Sequence, residues 1–150
     1  MRRRLKIYLS HPLGLRHEIK EWAKELEEEL HVRIYNPVYN VRARKRIDIS
    51  LFDRGKLKPY SVEEKRKSEE IVERNLEAIR NCDVLIAVLP YPSMGITMEI
   101  FYSGYVLQKP TLVLTYLRGH PWLNTVARIY NTREGIVDEI RRIREVMNYE

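Results

Sequence analysis

The sequence predicts an α/β fold in which a five-stranded, doubly wound parallel sheet carries helices on both faces. Three observations lead to it. Asp83 to Leu89 is an almost unbroken run of Val, Ile and Leu. It is too short for a helix and lacks the alternation of a half-exposed strand, so it reads as a strand covered on both faces. Short apolar runs alternate along the chain with longer stretches whose apolar residues recur at steps of three and four, the period of an amphipathic helix. Pro90 and Pro92 then stop the central run, and Ser93, Met94 and Gly95 form a tight connection into a helical stretch. Loops at the carboxyl ends of parallel strands are where ligands bind in such sheets.

Taken in order, Leu5 to Ser10 alternates around Leu5, Ile7 and Leu9 and reads as the first strand. The turn His11-Pro12-Leu13-Gly14 follows and leaves Tyr8 and Ser10 near the strand's carboxyl end. Leu15, Ile19, Trp22, Ala23, Leu26 and Leu30 make the apolar stripe of a helix that covers the sheet. Val32 to Tyr35 is a short second strand, closed at Asn36-Pro37 because a residue before proline avoids the helical region. Residues 38–60 are polar and basic, interrupted by Gly55 and Pro59. They read equally as a solvated surface loop or as a lid over a site. Ser61-Val62-Glu63-Glu64 has the pattern of a capping box and starts a helix that runs to Asn81. Its inward stripe is Ser68, Ile71, Val72, Asn75, Leu76 and Ile79, in which the amide of Asn75 needs a partner.

After the central strand, a helix beginning near Gly95 aligns Ile96, Ile100, Ser103 and Leu107. It is expected to hold Glu99 in its first turn and to approach the sheet closely at Gly104. Thr111 to Thr115 is a fourth strand, 118–126 a loop or short helix, and Ala127 to Tyr130 a short edge strand. The last helix has the stripe Ile136, Ile140, Ile143 and Met147, with Asn131 and Glu134 as its expected cap. Strands alternating with helices imply right-handed crossovers, and the simplest arrangement is the flavodoxin-like order 2-1-3-4-5.

The 150 residues suffice for one domain with a sizeable core, and no shift in composition divides them, so 1–150 reads as a single domain. A hydrophobic fraction of 44% with 32% charged residues fits a globular protein. The abundance of Lys, Arg and Glu resembles compositions favoured at high temperature. No apolar run approaches the roughly 20 residues that span a bilayer. Met1 to Arg4 leads into a strand rather than a signal-peptide core, which gives the expectation of a cytoplasmic protein. Cys82 is the only cysteine, so an internal disulfide and a cysteine metal cluster are excluded, and its place at the head of a core strand assigns it to packing. The net charge of +6 suits nucleic acid, an acidic partner or a phosphorylated small molecule. The densest basic run, Arg42 to Arg46, lies in a segment with Asp48 and Asp53 and has no aromatic platform beside it. That argues against nucleic acid.

Glu99 has two readings on spacing alone. It is a carboxylate favoured at the positive end of a helix dipole, a contribution of about 0.3–1 kcal/mol. Alternatively, the loop amides keep it ionised in a partly buried mouth, facing Tyr8 and Ser10 across the switch point, ready to attack an electrophilic carbon.

Several stretches together resemble the nucleoside 2'-deoxyribosyltransferase family, including the 2'-deoxynucleoside 5'-phosphate N-hydrolases. They are KIYLSHP, the strand ending in YNP, CDVLIAV, PSMGITMEI and QKP, which cover most of the chain except about 38–60. The resemblance implies cleavage of an N-glycosidic bond, with the sugar passed to another base or to water, and no metal or organic cofactor. It makes Glu99 the nucleophile and Tyr8 its orienting neighbour, with Ser10, His11 and Met94 among the residues around the substrate. Ser93 and Gly95 stand where the nucleotide-cleaving branch holds a 5'-phosphate, consistent with anion binding at a helix start. Asn124 stands where the family reaches into a neighbouring subunit's site, which implies a homodimer or higher homo-oligomer whose partner molecule is a nucleoside or nucleotide. Phe101, Tyr102, Tyr105 and Trp122 are candidates for the shared surface.

One position departs from the pattern. Where the family has an aspartate that protonates the departing base, this chain has Asn75, and an amide orients but does not act as general acid. His11 is the substitute donor to consider, ahead of His120. The departure motivates a second reading, a nucleotide-binding module or sensor with little turnover. A third, a Toll/interleukin-receptor-like domain acting on NAD, shares the layout but fits PSMG followed by Glu99 less well.

Overall fold

The computed structural model describes residues 3–37, 61–117 and 119–148. The expectations for 38–60, the basic run included, lie outside the described residues. Five strands form one parallel sheet in the order β2-β1-β3-β4-β5. They are β1 (Lys6–Ser10), β2 (Arg33–Tyr35), β3 (Val84–Leu89), β4 (Thr111–Thr115) and β5 (Arg128–Tyr130). The helices are α1 (Arg16–Leu30), α2 (Val62–Asn81), α3 (Met94–Phe101), α4 (Pro121–Val126) and α5 (Arg133–Asn148). This is the flavodoxin-like order expected from the sequence.

All six residues of β3 are buried, as a strand covered on both faces requires. One face of the sheet packs Ile7, Leu9, Val84 and Ile86 against Trp22 and Leu26 of α1 and Ile136 and Ile140 of α5. The other packs Tyr8, Leu85 and Leu89 against Ile79 of α2, Ile100 of α3 and Leu123 of α4. Cys82 is buried on this second face, where burial pushes its thiol up to about 11. That fits a packing role.

The boundaries have identifiable local causes. Ser61 caps α2, its Oγ accepting from the Glu64 amide at 3.1 Å. The other end of α2 is held by Lys109, whose ammonium donates to the carbonyls of Ile79 (3.0 Å), Arg80 (2.5 Å) and Cys82 (2.6 Å). A cation on the last carbonyls of a helix satisfies orphan acceptors and complements the dipole. Thr132, rather than Asn131, caps α5 by accepting from the Gly135 amide at 3.1 Å. The expected stripes are also narrower than the periodicity suggested. In α2 only Asn75 and Ile79 are buried, while Val72 is 53% exposed, and Met147 at the end of α5 is 39% exposed.

After Phe101 the helix widens into a π-helical turn, Tyr102–Val106, closed by Leu107 N–H donating to the Tyr102 carbonyl at 2.9 Å. Gly104 sits in this turn, and its close approach is chiefly to α4 rather than to the sheet. A Cβ placed on it would lie 1.9 Å from the Val126 carbonyl oxygen, with the Thr111 hydroxyl at 3.4 Å. Gly104→Ala therefore has to push α4 away, and the expected cost is about 1–3 kcal/mol. A lower urea midpoint at unchanged slope is the measurement that checks it.

Candidate active site

Parallel pairing of β1 with β3 aligns Tyr8 with Leu85 and Ser10 with Ala87 at the carboxyl ends of the two central strands. The two side chains are two residues apart on one strand, so they share the face covered by α2 and α3. Both residues are fully buried. Glu99 descends toward them from α3. Its Oε1 accepts from Ser10 Oγ at 3.3 Å, and it also accepts a hydrogen bond from the Tyr8 hydroxyl.

Glu99 is not in the first turn of its helix. Helix α3 begins at Met94, whose turn is closed by Thr97 N–H donating to the Ser93 carbonyl at 3.0 Å, and Glu99 is the sixth residue. The dipole-capping reading therefore loses its basis, since that effect fades beyond the first turn. The residue is only 6% exposed. Burial raises its carboxyl from 4.5 to about 7, against the opposing hydrogen bonds from Tyr8 and Ser10. The same burial, with the Glu99 carboxylate beside it, drives the Tyr8 hydroxyl far above its ordinary value.

A cavity of about 870 Å³ opens on Glu99 between α2, α3 and α4. Asn75 lines it with Glu99, and the rest of its wall is largely apolar, including Leu76, Tyr102, Trp122 and Leu123. Asn75 is 4% exposed, and its Oδ1 has no hydrogen-bond partner among the described residues. The partner that the sequence demanded for this amide is thus not supplied by those residues. A buried acceptor left so is costly unless a ligand or water satisfies it.

Gly95 lines the same cavity, and nothing lies within 4 Å of where its Cβ would be, so the helix entrance is open there. Ser93 is the N-cap of α3 but makes no side-chain capping bond, and Met94 is 82% exposed. His11 has both ring nitrogens engaged, with the Pro12 carbonyl at 2.9 Å and Asn36 Oδ1 at 2.5 Å. Those bonds tie the β1 turn to the end of β2. Asn124 does not line the Glu99 cavity but a separate hollow of about 220 Å³ with Gly119, Ile129, Tyr130 and Asn131. Phe101, Tyr105 and Trp122 are 38%, 61% and 68% exposed, which makes them surface rather than core, and Phe101 stacks on Tyr105 at 5.0 Å.

One neighbour of the site escaped the sequence reading. Tyr35 of β2 pairs with Tyr8 in register and stacks on its ring at 5.5 Å. Placing β2 beside β1, as the expected strand order does, was the signal that pointed to it. Among the described residues no group of three or more His, Cys, Asp or Glu side chains is placed to hold a metal ion. No described helix is long and apolar enough to cross a membrane.

No family model matches the chain, and no curated protein matches it in sequence. Solved structures do. The chain is similar to a 2-deoxyribosyltransferase from the psychrotolerant bacterium Bacillus psychrosaccharolyticus, at 17% identity over 91% of this chain and 90% of that one, with a TM-score of 0.55. It is also similar to the CMP N-glycosidase BcmB of Clostridium botulinum, at 16% identity over 90% of this chain and 97% of that one, with a TM-score of 0.53. At these identities the likeness is one of fold: the chain is built on the doubly wound framework that carries a 2-deoxyribosyltransferase and a CMP N-glycosidase.

Proposed function

We propose that this protein cleaves the N-glycosidic bond of a nucleoside or its 5'-monophosphate, with Glu99 as the nucleophile, and belongs with the nucleoside 2'-deoxyribosyltransferases and related N-glycosidases. The observation that carries the reading is the placement of Glu99, a buried carboxylate held by Tyr8 and Ser10 where the two central strands end. In the reaction the Glu99 carboxylate bonds to the anomeric carbon as the bond to the base breaks, and the electron pair leaves with the base. Water or a second base then takes the sugar and frees the carboxylate. Tyr8 and Ser10 hold one face of the carboxyl group so that it presents a fixed oxygen to the sugar.

The open helix entrance at Gly95 and the uncommitted Ser93 hydroxyl suit a 5'-phosphate, because the first amides of a helix are free to bind an anion. Asn124, turned to a hollow of its own, serves the site of a neighbouring copy in a homodimer or larger homo-oligomer. The exposed Phe101, Tyr105 and Trp122 supply the contact.

A panel of nucleosides and monophosphates, followed by chromatography for free base, tests this reading. The parent protein is expected to release base from at least one member and to form a covalent sugar adduct with a 2-fluoro analogue, seen as an intact-mass increase. Glu99→Ala should do neither. Indistinguishable behaviour of the two proteins on every substrate would remove Glu99 from the chemistry. Calorimetric binding without base release would instead identify a nucleotide-binding module.

A further inference from the structure

We propose that Tyr35, at the end of the edge strand β2, is a positioning residue for the Glu99 carboxylate and acts through the ring of Tyr8. The inference rests on the reading of Glu99 as the nucleophile and extends the machinery that aims it to a second strand.

The ring stack is the first observation. Tyr8 and Tyr35 are partners in the parallel register of β1 and β2, so their side chains leave the sheet on the same face. Their ring centroids lie 5.5 Å apart with the planes 23° from parallel, within the range of a stacked pair. On its other side Tyr8 is partnered in register by Leu85 of β3, which is 1% exposed. The Tyr8 ring is thus flanked by an aliphatic neighbour from the centre of the sheet and an aromatic one from its edge. Sideways tilt of that ring carries its hydroxyl away from Glu99, and close-packed neighbours on both sides oppose it.

The second observation is how the end of β2 is tied. Arg33 N–H donates to the Leu5 carbonyl at 2.8 Å, and Ile34 N–H, on the outer edge, donates to Glu27 Oε1 of α1 at 3.0 Å. One residue beyond Tyr35, Asn36 Oδ1 meets His11 Nε2 at 2.5 Å, which joins the end of β2 to the turn that follows Ser10. Tyr35 therefore stands between a bond to α1 and a bond to the β1 turn. It restrains Tyr8 from a strand whose own place is set on both sides.

Glu99 accepts from Tyr8 and from Ser10, and such a cradle presents a fixed oxygen only while both donors keep their places. Ser10 reaches it with a short side chain set directly by the β1 backbone. The Tyr8 hydroxyl stands at the tip of a long one, where a given tilt displaces it most. Tyr35 supplies the restraint at that donor. It lines a separate hollow of about 420 Å³ with Lys6, Arg33 and Arg74, so its effect on the reaction runs through Tyr8 rather than through contact with substrate.

Tyr35→Leu keeps an apolar cover over Tyr8 without a ring, and Tyr35→Phe keeps the ring. In the base-release assay Tyr35→Leu is expected to lower kcat about tenfold or more with KM nearly unchanged, and Tyr35→Phe to stay within about twofold of the parent. In a Tyr8→Phe background, which has no hydroxyl left to aim, Tyr35→Leu should cost no more than about twofold. Equal losses in the two backgrounds would overturn the inference, and so would a loss confined to KM. A second measurement needs no turnover. The carboxyl carbon NMR resonance of Glu99, assigned by its disappearance in Glu99→Gln, is followed with pH in the ligand-free protein. A weakened Tyr8 bond should move its titration to higher pH in Tyr35→Leu and leave it in place in Tyr35→Phe. A titration unchanged or lowered in Tyr35→Leu would overturn the inference as well. Absence of Glu99-dependent base release from every substrate is a different outcome: it removes the N-glycosidase reading, while the titration still decides whether Tyr35 positions Glu99.

Discussion

Glu99→Gln is expected to melt at a higher temperature than the parent protein at pH 8, and to lose base release at the same pH. Both effects come from the burial of one carboxylate. Its acid form is favoured in the folded state, with the carboxyl raised from 4.5 to about 7 by burial. A raised carboxyl stabilises the fold below its unfolded value, and that contribution is lost as pH climbs through the folded value. Above pH 7 the folded protein therefore carries a buried anion at a cost on the order of 3 kcal/mol, since each tenfold change in acidity corresponds to about 1.36 kcal/mol. Gln keeps an acceptor for the Tyr8 and Ser10 hydroxyls but has no charge to bury. The expected gain is roughly 5–10 °C in Tm at pH 8, shrinking toward zero near pH 4, measured by differential scanning calorimetry. Loss of the nucleophile should lower kcat/KM by at least about 10³-fold. A variant that neither gains stability above pH 7 nor loses activity would contradict the assignment on both counts.

The second large effect is on pH. A nucleophile must be ionised, so kcat/KM, which reports the free enzyme, should rise with pH through about 7. Between pH 5 and pH 8 the increase expected from ionisation alone is about 100-fold. Tyr8 and Ser10 donate to Glu99 and hold its carboxyl lower than burial alone would leave it. Tyr8→Phe removes one of those donors, and the ascending limb should then move to higher pH. A limb that stays in place in Tyr8→Phe while the rate falls would mean that the hydroxyl acts on the substrate rather than on Glu99.

Much of the frame was legible because its signals are local. The almost unbroken apolar run of β3 reads as a strand covered on both faces, and Ser61 marks the start of α2 through its own side chain. The candidate site was legible in part for the same reason. Tyr8 and Ser10 share a face by strand alternation, and Glu99 follows the loop that ends β3. What the chain did not disclose depends on contacts between elements. The turn in which Glu99 sits depends on Met94 opening the helix within a run of Pro, Ser and Gly that all suit a loop. Gly104, in the π-helical turn, closely approaches the Val126 carbonyl, and only the fold brings these two segments together. The cap of α5 was misplaced by one residue because Asn131 and Thr132 are both competent and only backbone geometry chooses. Val72 has the period of a buried residue, yet α2 buries only Asn75 and Ile79.

Strand β1 works on both sides of the sheet within five residues: Ile7 and Leu9 build one core while Tyr8 and Ser10 build the opposite face and the site. Its length is therefore fixed like a reading frame. Inserting or deleting one residue there exchanges the two sets, sending hydroxyls into the α1 and α5 layer and aliphatic groups against Glu99. No compensating substitution at a single position restores both faces. Changes in chain length have to be absorbed in the connections between elements, while β1 is free to vary only letter by letter.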